Sequence, residues 1–141
     1  MALNKKIAVI NMPIENWEVP ELRKSVGWQG GPEDYPSLFE RCNYWAGIRN
    51  ESGKLIAFGY VCGTGIVHGY MEDIIVHPDY HGQGLGKILV RSLLGEAKNH
   101  NLEIITVSFE PQNADFYVRC GFALTGGGVY YQGKIEEEET K

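Results

Sequence analysis

Long apolar runs and closely spaced cysteines are both missing from this sequence of 141 residues. The apolar run at residues 7–10, near the N-terminus, is too short for a signal-peptide core or a membrane span. Cys42, Cys62 and Cys120 lie far apart, are odd in number and have no CxxC spacing, so they predict free thiols in a reducing compartment. We therefore expect a cytoplasmic protein that binds no membrane and holds no metal.

An excess of positive charge is missing as well. The chain has 13 Lys and Arg against 18 Asp and Glu, a net charge of -5. Nucleic-acid binding needs a basic surface, so we exclude it, whereas an acidic surface either steers cationic partners or serves solubility alone. We predict one domain over residues 1–134, a length that buries a core without disulfides, and an acidic C-terminal tail at 135–141.

Hydrophobic periodicity and turn residues predict the order β-α-α-β-β-β-α-β-α-β-β. This order indicates an α/β (α+β) fold with a mixed, mostly antiparallel sheet of about seven strands and about four flanking helices. Strands are predicted at residues 6–12, 44–49, 55–62, 68–76, 102–109, 122–124 and 129–132. Helices are predicted at residues 15–28, 34–44, 85–99 and 113–120, the last capped by Asn113. The apolar hairpin at 129–131 would offer an edge to a second subunit, which suggests a homodimer.

A glycine-rich loop separates the fourth predicted strand from the third predicted helix. Gly82, Gly84 and Gly86 let the backbone approach a ligand closely and adopt conformations that other residues avoid. The helix follows at once, and its free N–H groups and dipole favour phosphate oxygens. The loop therefore predicts a phosphate-binding site.

Spacing excludes two common kinds of phosphate loop. The dinucleotide pattern GxGxxG fails because Lys87 and Leu89 stand where its third glycine is needed. The nucleoside-triphosphate pattern GxxxxGK[ST] fails because His81 and Ile88 replace its first glycine and its final hydroxyl residue.

A third pattern, [QR]xxGx[GA], fits from His81 onward except at His81 itself. Together with the preceding Val76-His77-Pro78-Asp79-Tyr80, this block resembles the coenzyme A-binding motif of the GNAT superfamily of N-acetyltransferases. The resemblance is strongest over residues 73–94 and continues through 113–122, and the order of elements matches the family fold over nearly the whole chain. It implies an acetyl-CoA-dependent acyltransferase with a GNAT-like fold and no metal.

The resemblance also implies a set of cofactor-binding residues. Backbone amides of the loop would hold the pyrophosphate, and the end of the strand would pair with the pantetheine arm, with a backbone amide near Ile75 polarising the thioester carbonyl. These residues are Ile74, Ile75, Val76, His81, Gly82, Gln83, Gly84, Leu85, Gly86, Lys87, Asn113 and Tyr117.

Catalytic groups follow from the same resemblance. Tyr117 matches the family tyrosine near the cofactor sulfur, and a phenol with a pKa of about 10 can protonate a thiolate whose conjugate acid has a pKa of roughly 8.5. The incoming amine needs a base, for which Asp73 is the first candidate, before Glu72 and His68. Period-two alternation places His68 and Glu72 on one face of the strand, and Asp73 and Ile75 on the other.

The acceptor is expected to be a primary amine, small and cationic. A protein N-terminus or a lysine is the alternative acceptor, and a catalytically silent acyl-CoA-binding module is the alternative function. Five aromatic residues of the N-terminal half would line an acceptor pocket or pack in the core: Trp17, Trp28, Tyr35, Tyr44 and Trp45.

Overall fold

A computed structural model describes residues 6–133. The strands are β1 (Val9–Ile10), β2 (Tyr44–Arg49), β3 (Leu55–Cys62), β4 (Val67–Val76) and β5 (Leu102–Val107). The helices are α1 (Glu18–Ser25), α2 (Ser37–Arg41), α3 (Leu85–Glu96) and α4 (Ala114–Arg119), with short 3-10 turns between them. The chain divides into two compact units after Phe109. The prediction of a single domain over 1–134 stays a prediction.

The first unit contains one sheet with the strand order β1-β2-β3-β4-β5. The first three pairings are antiparallel, and β4 and β5 are parallel. Parallel neighbours need a crossover, which α3 provides between β4 and β5. The predicted mixed, mostly antiparallel sheet is thus confirmed, with five strands in place of about seven.

The two faces of the sheet carry different helices. Phe58 of β3 joins a buried cluster with Val19 and Leu22 of α1. Its neighbour Gly59 faces the other way, where an added Cβ would lie 3.1 Å from the Leu93 side chain of α3. Because side chains alternate along a strand, α1 covers one face and α3 covers the other.

The two strands predicted at 122–124 and 129–132 are wrong. Residues 122–131 form no regular structure, and Val129 and Tyr130 are 58% and 69% exposed. Consecutive glycines at 126–128 weaken any strand pairing here, and an isolated two-stranded hairpin is only marginally stable. The edge on which the homodimer was suggested is therefore not formed, and the homodimer stays a prediction. The predicted acidic tail lies outside the described residues.

The helices are shorter than the periodicity predicted. The helix predicted at 15–28 begins at Glu18, and the one predicted at 34–44 is reduced to five residues after a 3-10 turn. Asn113 precedes α4 but makes no side-chain capping bond, so its predicted capping role is wrong. Within residues 6–133, no helix is both long and apolar enough to cross a membrane.

Candidate active site

The second half of β4 has a strand on one side only. Its pairing with β3 continues to Val76, whereas its pairing with β5 ends at Met71. Over residues 72–76, one edge of β4 therefore has no strand partner within the described part of the chain. Backbone groups on such an edge can bond to an extended ligand as another strand would. This edge includes Ile74 and Ile75, which the sequence assigned to the cofactor.

The glycine-rich loop lies directly after this edge, and α3 begins at Leu85 as predicted. Gly82 and Gly84 have φ of 81° and 78°, a left-handed conformation that costs other residues about 1–2 kcal/mol. Gly84 is the residue before the helix and offers no side chain to cap it, and the first turn contains no acidic residue. The N–H groups of that turn are thus available to an anion.

His81 ties the loop to the strand. Its Nε2 lies 2.7 Å from the carbonyl oxygen of Val76, the last residue of β4. Because a carbonyl only accepts, the Nε2–H tautomer donates this bond. This bond therefore holds the loop next to the open edge of β4. The contact of His81 with the cofactor stays a prediction.

A β-bulge at Asp73 changes which side chains share a face. Phe58 pairs with Ile75 and Tyr60 pairs with Glu72, so β4 has one residue more than β3 in this interval. Asp73 adopts φ of 53°, a conformation that asparagine and aspartate tolerate better than most residues. The predicted period-two alternation is therefore wrong beyond Glu72, because the extra residue reverses the side on which the following ones lie.

Glu72 and Asp73 consequently face the same helix, α1. The Tyr60 hydroxyl donates to Oε2 of Glu72 at 3.1 Å, and the Cys62 Sγ lies 3.8 Å from the same oxygen. Burial, and then the negative charges of Asp73 and Glu72, raise the pKa of Tyr60. Burial and Glu72 likewise raise the pKa of Cys62. Both neighbours of the Glu72 carboxylate are thus neutral donors.

Asp73 pairs with a residue that sequence reasoning missed. Nη1 of Arg23 lies 2.5 Å from Oδ2 of Asp73. Nε of Arg23 donates to the Gln29 carbonyl at 2.7 Å, and its guanidinium lies 5.3 Å from the centre of the Trp28 ring. The two paired residues are 50 positions apart, and no local pattern connects them. Only covariation among related sequences would have signalled the pair.

The end of α1 explains how Arg23 reaches the site. Gly27 has φ of 82°, and its N–H bonds to the Lys24 carbonyl while that of Trp28 bonds to the Arg23 carbonyl. This is the Schellman ending of a helix. It turns the chain back so that Trp28 lies over the Arg23 side chain.

Polar side chains continue along the same face of β4 toward its start. Nε2 of His68 lies 3.1 Å from the Thr106 hydroxyl, and the Tyr70 hydroxyl donates to Ser108 at 2.8 Å. His68, the third candidate base, thus lies in a row of hydrogen-bonding groups at the surface. We call these four residues the polar tract.

The five N-terminal aromatic residues are not all at the site. Tyr44 bonds to the Leu93 carbonyl on the α3 face, and Trp45 bonds to the Met12 carbonyl. Tyr35 is buried near the Arg23–Asp73 pair, since its pKa rises to about 12 through burial first and through the charge of Asp73 second. Trp28 covers Arg23. Of these residues, Tyr35 and Trp28 therefore adjoin the Arg23–Asp73 pair.

The second unit contains the predicted acid. Tyr117 is 6% exposed, and its ring lies 4.9 Å from that of Phe116 and 5.7 Å from that of Phe122. Burial, and then Cys120, raise the pKa of Tyr117 to about 12. The phenol is therefore protonated at neutral pH, as a proton donor must be. Within residues 6–133, no three His, Cys, Asp or Glu side chains form a group suited to a metal ion.

Comparisons with known proteins find similar sequences and similar folds. A model of the Acetyltransferase (GNAT) family matches residues 11–122. The chain is 26% identical over 123 residues to an uncharacterized N-acetyltransferase, ycf52, of Pyropia yezoensis, a match that covers 84% of this chain and 71% of that protein.

Solved structures share the fold. A glucosamine-6-phosphate N-acetyltransferase from Arabidopsis thaliana superposes with a TM-score of 0.72 at 23% identity, over 88% of this chain and 97% of that one. A GNAT family N-acetyltransferase from Escherichia coli, solved in complex with CoA, has a TM-score of 0.71 at 20% identity, over 85% of this chain and 69% of that one.

Proposed function

Because the chain belongs to the GNAT family of acetyltransferases, we propose that it transfers an acetyl group from acetyl-CoA to a primary amine by direct attack. The observation that carries the proposal is the unpaired edge of β4 over residues 72–76, next to a helix N-terminus without a side-chain cap. An extended amide-containing arm fits the edge, and a pyrophosphate fits the helix end. The Escherichia coli relative was solved with CoA, which supports this choice of cosubstrate.

Residues of the loop and edge divide the binding of acetyl-CoA between them. The backbone amides of residues 82–86 hold the pyrophosphate, with Lys87 on the exposed side of the first helical turn. Ile74, Ile75 and Val76 bond to the pantetheine arm, and an amide near Ile75 polarises the thioester carbonyl. His81 holds this arrangement together through Val76. Asn113 is a further candidate contact of the pantetheine.

Glu72 is the better placed of the two acids to take the proton of the amine. Its neighbours Tyr60 and Cys62 are neutral donors, whereas Oδ2 of Asp73 is bound to the Arg23 guanidinium. We propose that Glu72 deprotonates the amine, directly or through water, and that Asp73, the first candidate from the sequence, is held back from this role by its pairing with Arg23. Tyr117 then gives a proton to the departing thiolate.

Thiol release from acetyl-CoA in the presence of an amine panel tests the reaction. We expect turnover with small primary amines, and a fall of about 100-fold in kcat for Glu72→Gln and for Tyr117→Phe, with unchanged CoA affinity. Tyr44→Phe is a matched control because burial first, and Glu96 second, raise the pKa of Tyr44 to about 12, and it lies on the α3 face. It should leave kcat unchanged.

The same assay separates the alternatives. Binding of CoA without thiol release from any amine would contradict the enzyme and favour the silent module. Turnover with peptides alone would identify a protein N-terminus or lysine as the acceptor. The plant structure is named for an amino sugar phosphate, so an amino sugar belongs in the panel. None of the three cysteines forms a disulfide, which supports the cytoplasm as the proposed compartment.

A further inference from the structure

The Asp73 carboxylate meets the Arg23 guanidinium where β4 faces α1, and Glu72 precedes Asp73 on the same face of the strand. Given the proposed function, on which this inference rests, we infer that Arg23 determines how many positive charges the acceptor can carry. By cancelling the charge of Asp73, Arg23 restricts the site to an amine with a single ammonium and a neutral, hydrogen-bonding body. Arg23 is thus a specificity-determining residue.

The Arg23–Asp73 pair is built to persist. The Arg23 side chain is 23% exposed and that of Asp73 is 18% exposed. The Gln29 carbonyl and the Trp28 ring hold the guanidinium from the other sides. Gly30 also makes room for it, since an added Cβ would lie 2.8 Å from Nε of Arg23. The loop after α1 is therefore shaped around this arginine.

The charges around the pair leave one carboxylate for a cation. Glu72 contacts only neutral donors among the described residues. Tyr35 also faces the pair, and burial with the charge of Asp73 raises its pKa to about 12. Asp34 acts on Tyr35 from an exposed turn, where water and salt screen its charge. Of the two carboxylates Glu72 and Asp73, Glu72 is the one without a counter-charge among the described residues, and this matches one ammonium.

The rest of the acceptor meets hydrogen-bonding side chains without a carboxylate among them. Beyond Glu72, the same face of β4, and of β5 with the residue that follows it, presents the polar tract of His68, Tyr70, Thr106 and Ser108. Hydroxyl and imidazole groups pair with hydroxyls or amides of a ligand and give a second ammonium no counter-charge. A diamine would leave one cation unpaired and partly desolvated.

A matched pair of amines tests this assignment. The measured quantity is kcat/KM for diaminobutane relative to butylamine, in the full chain with acetyl-CoA. Arg23→Gln should free the Asp73 carboxylate and raise this ratio about tenfold, as one new ion pair in a partly buried site would. The increase should come from a lower KM for the diamine, with little change in kcat for butylamine.

Three further variants separate charge from structure. Arg23→Lys keeps the positive charge and should keep the ratio within about twofold of the wild type. The double variant Arg23→Gln with Asp73→Asn removes both charges and should return the ratio to the wild-type value. Arg49→Gln breaks a different arginine pair of α1 and should leave the ratio unchanged.

The outcomes distinguish this inference from the proposed function. Turnover with an unchanged ratio in folded Arg23→Gln, or an equal change in Arg49→Gln, would overturn the role of Arg23 and leave the acetyl transfer intact. No turnover of any amine by the wild type would overturn both. A raised ratio that the double variant does not reverse would also overturn the charge argument.

Discussion

Helix α1 is bound to the sheet by two arginine–carboxylate pairs, one near each end. At its start, Glu18 pairs with Arg49 of β2, and at its end Arg23 pairs with Asp73 of β4. The direction of the pairing is reversed, because the helix supplies the acid in the first pair and the arginine in the second. The two pairs use the same chemistry within one element, yet their surroundings differ.

The first pair is saturated. Arg49 donates to both carboxylate oxygens of Glu18 at 2.6 and 2.9 Å, and the Glu15 N–H donates to Oε2 at 2.9 Å. Arg49 also donates to the carbonyls of Gly53 and Pro13. Both Glu18 oxygens and both terminal nitrogens of Arg49 are thus engaged, and such a bidentate pair fixes the position of a helix.

The second pair is only partly satisfied. Among the described residues, Asp73 is bound through Oδ2 alone, and it occupies a β-bulge. Bulges commonly re-aim side chains next to active sites. One kind of ion pair thus serves stability when both carboxylate oxygens are bonded, and, as we infer, specificity when one carboxylate oxygen is left without a bond.

The largest effect is expected from breaking the saturated pair. Arg49→Ala should lower the free energy of unfolding by about 3 kcal/mol, because the Glu18 carboxylate, 7% exposed, loses its partner. Urea unfolding measures the loss. Arg23→Ala, measured in parallel, should cost about 1 kcal/mol, since the Asp73 carboxylate, at 18% exposed, is better solvated than that of Glu18. Equal losses would contradict the distinction between the pairs.

Lowering the pH should weaken the Glu18–Arg49 pair. The hydrogen bond with Arg49 lowers the pKa of Glu18 from its ordinary value of 4.5. A depressed folded-state pKa stabilises the protein above the unfolded value and is lost as pH falls through the folded value. The difference in unfolding free energy between wild type and Glu18→Gln should therefore shrink below pH 4.5. A difference that stays constant through this range would contradict the role of the Arg49 hydrogen bond.

Gly30 offers a milder way to disturb the second pair. Gly30→Ala places a methyl group 2.8 Å from Nε of Arg23, which should displace the guanidinium without removing it. We expect the diaminobutane-to-butylamine ratio to rise about threefold, less than for Arg23→Gln. Gly95→Ala is the control, because its added Cβ meets nothing within 4 Å. A larger change in Gly95→Ala would contradict the proposed contact.

The smallest effect should appear in the titration of Tyr35. Burial and Asp73 raise its pKa to about 12, and Arg23 opposes the rise. Asp73→Asn should lower this pKa and Arg23→Gln should increase it, as measured by tyrosinate absorbance. Because the folded pKa lies above the unfolded value of 10.0, this residue's contribution to stability is complete below pH 10 and lost as pH rises toward about 12. The pKa of Tyr44 should not change in either variant.

The sequence predicted the parts of the site that are continuous in the chain. The strand, the loop with Gly82 and Gly84, and the start of α3 at Leu85 are all found where the pattern placed them. Each depends on local conformation. Glycine alone adopts the required backbone angles at little cost, and the first N–H groups of a helix have no acceptors within the helix. Local rules of this kind can be read from one sequence.

The bulge at Asp73 could not be predicted by the same means. Period-two alternation assumes an uninterrupted strand, and no residue type around Asp73 predicts that the strand contains an extra residue. The bulge exists because Phe58 and Tyr60 of β3 must both pair with β4 while Asp73 reaches Arg23. The bulge places Glu72 and Asp73 on one face of the sheet, whereas the alternating pattern had assigned them to opposite faces.

The two strands predicted at 122–124 and 129–132 are the opposite kind of error, because here the pattern predicted regular structure that these residues do not form. Their composition favours strands, but a strand needs a partner as well as a propensity. Residues 122–131 form no such pairing.

By itself, the sequence determined the element order as far as α4, the phosphate loop and the family of the chain, because glycine positions and hydrophobic periods act through neighbours in the chain. Tertiary structure alone decided where β4 loses its partner β5, which way Glu72 and Asp73 face, and that Arg23 neutralises one of them. Those features depend on register and on charges that lie 50 residues apart. Coulomb attraction acts through space, so only the folded chain could bring them together.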